Sequence, residues 1–124
     1  MSLSVFVAAT MLGQSAFSLG VAQPVANAPD VAYAELSAGE AHAAVTKLEA
    51  NGAARSDDPA TLINLGAAYA RAGQPDKAIA VTRAAVQTPI RYDLELADGS
   101  WTDSRDAARR ALQSMKSARA LAAR

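Results

Sequence analysis

The chain has 124 residues, with 12 basic and 12 acidic side chains and no cysteine. This bounds it to one domain without disulfides, a thiolate metal site or a lipid-anchored cysteine, and its zero net charge removes any global drive toward nucleic acid or an anionic membrane. Alanine makes up about a quarter of the residues, so long side chains are too few for a thick core and thin helical layers suit the composition best.

Residues 1–29 carry no charged side chain. Leu3 to Leu12 is largely apolar and, with the stretch through Leu19, has the form of the hydrophobic core of a secretory signal. Small residues follow in Gly20-Val21-Ala22 before Gln23 and in Ala26-Asn27-Ala28 before Pro29. Cleavage after Ala22 is favoured, because a proline directly after the cut is unfavourable. Gln14, Ser15 and Ser18 interrupt the apolar run before the roughly 20 residues that a retained membrane span needs. A buried core helix fits worse still with the change in composition after Ala28. Residues 1–29 are therefore read as a signal peptide and processing region, with residues 30–124 exported to the periplasm or secreted. Met1-Ser2-Leu3-Ser4 lacks the Lys or Arg that normally opens such a signal.

From Asp30 the charged part begins. Val31, Tyr33 and Leu36 lie in a short helical pattern, Ser37-Ala38-Gly39 breaks it, and Ala41 to Ala50 restarts it with Ala44, Val45 and Leu48 inward. Asn51 to Asp58 reads as a loop ending in a helix cap. Asp57 and Asp58 stand where a helix dipole favours negative charge, a better account of them than a catalytic or metal-binding pair.

The central stretch, residues 59–89, holds two amphipathic helical patterns. Asp58 is a good N-cap acceptor and Pro59 fits the first helical position. Leu62, Leu65, Ala68, Tyr69 and Ala72 form one apolar face, and Gly73 supplies a left-handed stop. Pro75 restarts a helix with Ala78, Ile79, Thr82, Ala85 and Val86 inward, ended by Pro89. The short connection makes the two helices antiparallel neighbours, and small residues at Gly66, Ala78 and Ala85 allow close approach. Compared with itself about 34 positions earlier, this stretch is self-similar: Ala38-Gly39 falls on Ala72-Gly73, Ala44 on Ala78 and Val45 on Ile79.

The spacing Leu62-x2-Leu65-Gly66-x2-Tyr69, then Ala78-x3-Thr82, then Pro89 resembles a tetratricopeptide repeat (TPR). Leu62 replaces the usual Trp, Thr82 the usual aromatic, and Pro89 arrives one position early. The resemblance implies an all-α fold, a short TPR-like superhelix of antiparallel helix hairpins. Residues 30–50 would be a degenerate repeat and residues 59–89 the main one. It further implies that the first helices of successive repeats line a concave groove for a peptide or another protein. Carried over by position, the groove-facing candidates are Ile63, Asn64, Ala67, Ala70 and Arg71. Asn64 would hydrogen-bond an extended backbone and Arg71 would pair with a carboxylate. Self-association into a homo-oligomer would extend so small a groove.

Beyond Pro89, Arg91 to Leu96 alternates charged with apolar residues and Asp98-Gly99 favours a hairpin turn. Residues 90–101 are read as an extended strap that lays Tyr92, Leu94, Leu96 and Trp101 against the helices. Thr102 or Asp103 caps a final helix over residues 102–122, whose face of Ala107, Ala108, Ala111, Met115, Ala118 and Ala122 would close the end of the array. On the same helix Arg105, Arg109, Lys116 and Arg119 cluster on one side, a stripe that could hold an acidic protein, lipid head groups or nucleic acid. A solvated face explains it more simply, and export weighs against nucleic acid.

Catalysis finds little support. His42 is the only histidine, which excludes a multi-histidine metal site and leaves a catalytic triad one base to draw on. No metal or cofactor is expected. The sequence therefore points to a non-catalytic protein- or peptide-binding module, with an adaptor for anionic surfaces as the alternative.

Overall fold

The computed structural model describes residues 21–22 and 30–123; most of the expected signal segment lies outside the described residues. Five helices and one hairpin follow one another in these residues. They are α1 (Tyr33–Ser37), α2 (Ala41–Ala50), a 3-10 turn (Ala53–Arg55), α3 (Pro59–Arg71), α4 (Pro75–Gln87), β1 (Asp93–Glu95), β2 (Trp101–Asp103) and α5 (Ser104–Ala122). The packed helices make this an all-α domain, and the two short strands serve as an accessory to it.

Helix α3 is the centre. Every residue from Pro59 to Tyr69 is buried, because α2, the 3-10 turn, α4 and α5 all pack on it. Its start is set by adjacent residues: Asp58 accepts the Thr61 amide at 3.0 Å, and Pro59 occupies the first turn without losing a hydrogen bond. Its end is a Schellman turn. Gly73 takes φ 80, its N–H donates to Ala70 O at 3.3 Å and Gln74 N–H donates to Tyr69 O at 2.9 Å. The turn between α1 and α2 has the same form. Gly39 takes φ 78, its N–H donates to Leu36 O at 3.2 Å and Glu40 N–H donates to Glu35 O at 2.8 Å.

Helix α4 turns Ala78, Ile79, Thr82 and Ala85 inward, as the spacing predicts, and packs on both α3 and α5. Asp103 caps α5 by accepting the amides of Arg105 at 3.0 Å and Asp106 at 3.2 Å. Along α5 only the first part of the expected face is covered. Ala107 and Ala108 are buried and Ala111 and Met115 are half-buried, but Ala118 and Ala122 are exposed. The last two line an open cleft with Ala70, Gly73, Pro75, Ala78 and Met115.

The hairpin pairs Asp93 with Asp103, Leu94 with Thr102 and Glu95 with Trp101 in antiparallel register. Gly99 at φ 83 makes the turn, closed by Leu96 N–H to Ser100 O at 2.8 Å. Leu94 and Leu96 point into the core, whereas Trp101 is 67 % exposed, which corrects the expectation that it packs inward. The reason is period two: Leu94 and Leu96 hold the inner face, and Trp101 is in register with Glu95, between them, on the outer face.

Two apolar clusters meet along α3. One gathers Leu36, Val45, Leu48, Leu65 and Tyr69 between α1, α2 and α3. The other gathers Leu62, Ile63, Ala85, Leu94, Leu96 and Ala108 between α3, α4, the hairpin and α5. Val21 belongs to the first and Ala22 to the second, so two residues that the composition assigns to a removable leader are built into the core.

Candidate functional site

The five residues carried over to a groove sit along one side of α3, at different depths. Ile63, Asn64 and Ala67 are buried, while Ala70 and Arg71 are half-buried at the helix end. Ile63 is packing in the cluster with Leu94 and Leu96, and Ala67 packs in the other. Neither faces solvent. An asparagine with no exposed surface requires internal partners, and Asn64 has three.

Its Oδ1 accepts the Ala22 N–H at 2.7 Å, and its Nδ2 donates to Ala22 O at 2.9 Å and to Val31 O at 3.0 Å. A single side chain thus satisfies both main-chain groups of one residue. On its other side Ala22 forms an antiparallel β-bridge with Leu96, just beyond β1. The backbone engaged in this way belongs to the chain itself. The arrangement reads main-chain geometry rather than side-chain identity, and the surrounding walls set side-chain size. Ala22 is 0 % and Val21 2 % exposed, so a methyl group fills one position and a branched aliphatic group the other.

The hold is modest. Burying the Val21 side chain contributes about 1.5–3 kcal/mol and the two hydrogen bonds of Ala22 about 1 kcal/mol each, against ordering costs of about 1–2 kcal/mol per residue. A few kcal/mol at most therefore keeps Val21–Ala22 seated.

At the far end of α3, Arg71 donates from Nη1 to Leu36 O at 2.8 Å, bracing the C-terminus of α1, and burial pushes its guanidinium below the ordinary value. Arg71 is therefore engaged with backbone where the resemblance implies a carboxylate. Nearby, Lys47 joins Asp30 at 2.5 Å and Glu35 at 2.9 Å. The hydrogen bonds from Lys47, ahead of all other causes, hold both carboxyl groups below their usual range.

The stripe on α5 is largely answered within the domain. Arg105 donates from Nη2 to Thr88 O at 2.9 Å, completing the C-terminus of α4 where the helix dipole favours a cation. Arg109 pairs with Asp106 at 3.3 Å and Arg119 with Asp76 at 3.2 Å, while Lys116 is exposed. The stripe is thus interrupted by acids.

His42 is exposed on α2, and among the described residues no group of three or more His, Cys, Asp or Glu side chains could hold a metal ion. The Asp58 carboxylate caps α3, and Asp57 takes part through its backbone carbonyl, which accepts the Thr88 hydroxyl at 2.6 Å. Among the described residues no helix is long and apolar enough to cross a membrane. The sequence reading picked out Asn64 but missed Ala22 and Leu96. The one available signal was a polar amide in the apolar run Leu62-Ile63-Asn64-Leu65. The chain finds no match among protein-family models, curated proteins or solved structures.

Proposed function

We propose that the chain is an exported, non-catalytic module that binds another protein or a peptide, built on helix pairs of the tetratricopeptide kind. The observation that carries this reading is the clamp at Asn64, where a helix-borne amide and the Leu96 edge hold a stretch of backbone between them. A site of that form binds polypeptide in the strand-addition mode, with main-chain hydrogen bonds giving affinity and side-chain pockets giving selectivity.

The tetratricopeptide part of the reading is supported by the two turns. The hydrogen bonds Ala38 N to Ala34 O, Gly39 N to Leu36 O, Glu40 N to Glu35 O and Ala44 N to Glu40 O recur between Ala72 and Ala68, Gly73 and Ala70, Gln74 and Tyr69, and Ala78 and Gln74. The second set stands one repeat length, about 34 residues, after the first. The internal partners of Arg105, Arg109 and Arg119 favour this module over an adaptor for anionic surfaces.

Export is tested by fractionating cells that express the tagged full chain and reading the mature N-terminus by mass spectrometry. A shortened terminus in the exported fraction supports it, and an intact Met1 in the soluble cytoplasm opposes it. Binding is tested with a photo-crosslinking residue placed at Ala70, the half-buried groove candidate near the end of α3, or at Lys116. Adducts from Ala70 support the module, and adducts from Lys116 alone favour the anionic-surface adaptor. Substrate turnover abolished by His42→Ala would defeat both.

A further inference from the structure

We propose that the cleft between Asn64 and Leu96 is a binding site for an extended peptide from another chain, and that in the chain before any cleavage after Ala22 the Val21–Ala22 pair is its tethered, displaceable occupant. This rests on the reading of the domain as a peptide-binding module, and it specifies the ligand and the competition at that site.

The ligand chemistry follows from what the cleft already holds. The residue at the clamp must present an unsubstituted N–H to Asn64 Oδ1 and a carbonyl to Asn64 Nδ2, as Ala22 does at 2.7 and 2.9 Å, which excludes proline there. Its side chain must be small, since Ala22 has no exposed surface. The residue before it takes the place of Val21 in the cluster that also holds Leu36, Val45 and Leu65 and is best filled by a branched aliphatic side chain. Antiparallel pairing with Leu96 fixes the direction of entry. The preferred ligand is thus an extended peptide carrying a branched aliphatic residue followed by alanine or glycine.

Displacement is permitted by the way the occupant is attached. Val21–Ala22 reaches α3 from 42 positions away in sequence and contributes to none of the helices. Its departure leaves Asn64 one partner, Val31 O, and an empty two-residue slot of the same donor and acceptor pattern. A tethered occupant competes as a high local concentration. If it is seated about 99 % of the time, a free peptide binds about 100-fold more weakly than it would to the open cleft.

The test uses the full chain, isotopically labelled, and a synthetic peptide with the sequence of residues 17–26. Amide hydrogen exchange is followed at Ala22 and, as the marker of global unfolding, at Leu65 in α3. The Ala22 amide is expected to exchange at least about tenfold faster than that of Leu65, through local opening. Its resonance is expected to shift on titration with the peptide while helix α3 stays protected, and a peptide carrying Ala22→Arg should have no effect. In the full chain, Ala22→Arg should eject the occupant and tighten binding of the unmodified peptide by about 100-fold. If that variant does not fold, the exchange experiment on the unmodified chain decides alone. Exchange of Ala22 only together with Leu65, or a Ala22 resonance indifferent to the peptide, overturns the proposal. Crosslinks from Ala70 in the presence of either result would leave the binding module standing without this ligand, so the two failures are separable.

Discussion

The phenol of Tyr92 donates to Asp58 Oδ1 at 2.5 Å while the other oxygen of the same carboxylate accepts from the Thr61 amide and hydroxyl. One acid thus caps the central helix and anchors the strand segment, joining α3 to the hairpin that supplies the Leu96 edge of the cleft. Burial first, and then the hydrogen bond to Asp58, push the Tyr92 phenol well above its ordinary value.

Tyr92→Phe is expected to lower stability by about 1.5–3 kcal/mol in urea denaturation, the usual range for a hydrogen bond to a charged acceptor. Asp58→Asn retains a side chain able to cap but loses the charge. The double variant should therefore cost less than the two single losses added. Strict additivity would mean that the two groups do not share an interaction.

Gly66→Ala should destabilise the domain by about 1–3 kcal/mol, as overpacking does. A β-carbon there would overlap the Thr82 hydroxyl and touch Met115 Cε at 3.4 Å. Thr82 is itself fully buried and bonded to Met115 Sδ at 3.3 Å, so it has little room to yield. Thr82→Ala in the same chain should recover part of the loss in thermal melts. A Gly66→Ala protein as stable as the parent would show that α3 and α4 can separate freely.

The Lys47 cluster sets a pH dependence whose sign is fixed. Asp30 and Glu35 are held below their ordinary values of 3.8 and 4.5, so they stabilise the folded chain above those values and cease to as pH falls through the lower, folded ones. The parent should lose melting temperature below about pH 4.5 more steeply than Lys47→Met, in which the cause of the depression is removed. Parallel curves for the two proteins would rule out that linkage.

Trp101 is the single tryptophan of the chain and is 67 % exposed. Its fluorescence should be quenched by iodide nearly as well as that of free tryptophan, and Trp101→Ser should change stability by no more than about 0.5 kcal/mol. Leu94→Ala, one strand position from Glu95, the partner of Trp101, but on the buried face, should cost about 2–5 kcal/mol. Reversed magnitudes would mean the hairpin lies with its other face to the core.

The helix boundaries were legible in the sequence because their causes are local. Asp58 with Pro59 starts α3, Gly73 stops it, Asp103 starts α5, and each acts on backbone within a few residues of itself. The inward faces of α3 and α4 followed from spacing for the same reason. The side of the hairpin that meets the helices did not, since Leu94 and Trp101 are both apolar and only the docked register separates them. The candidate site was legible in one residue. Asn64 could be marked as polar in an apolar run, but its partner lies 42 positions earlier, in a stretch whose lack of charge reads as a leader. Val21 and Ala22 are buried in the fold because Asn64 and the Leu96 edge come together only when α3 and the hairpin pack, and buried amides on both must then find partners.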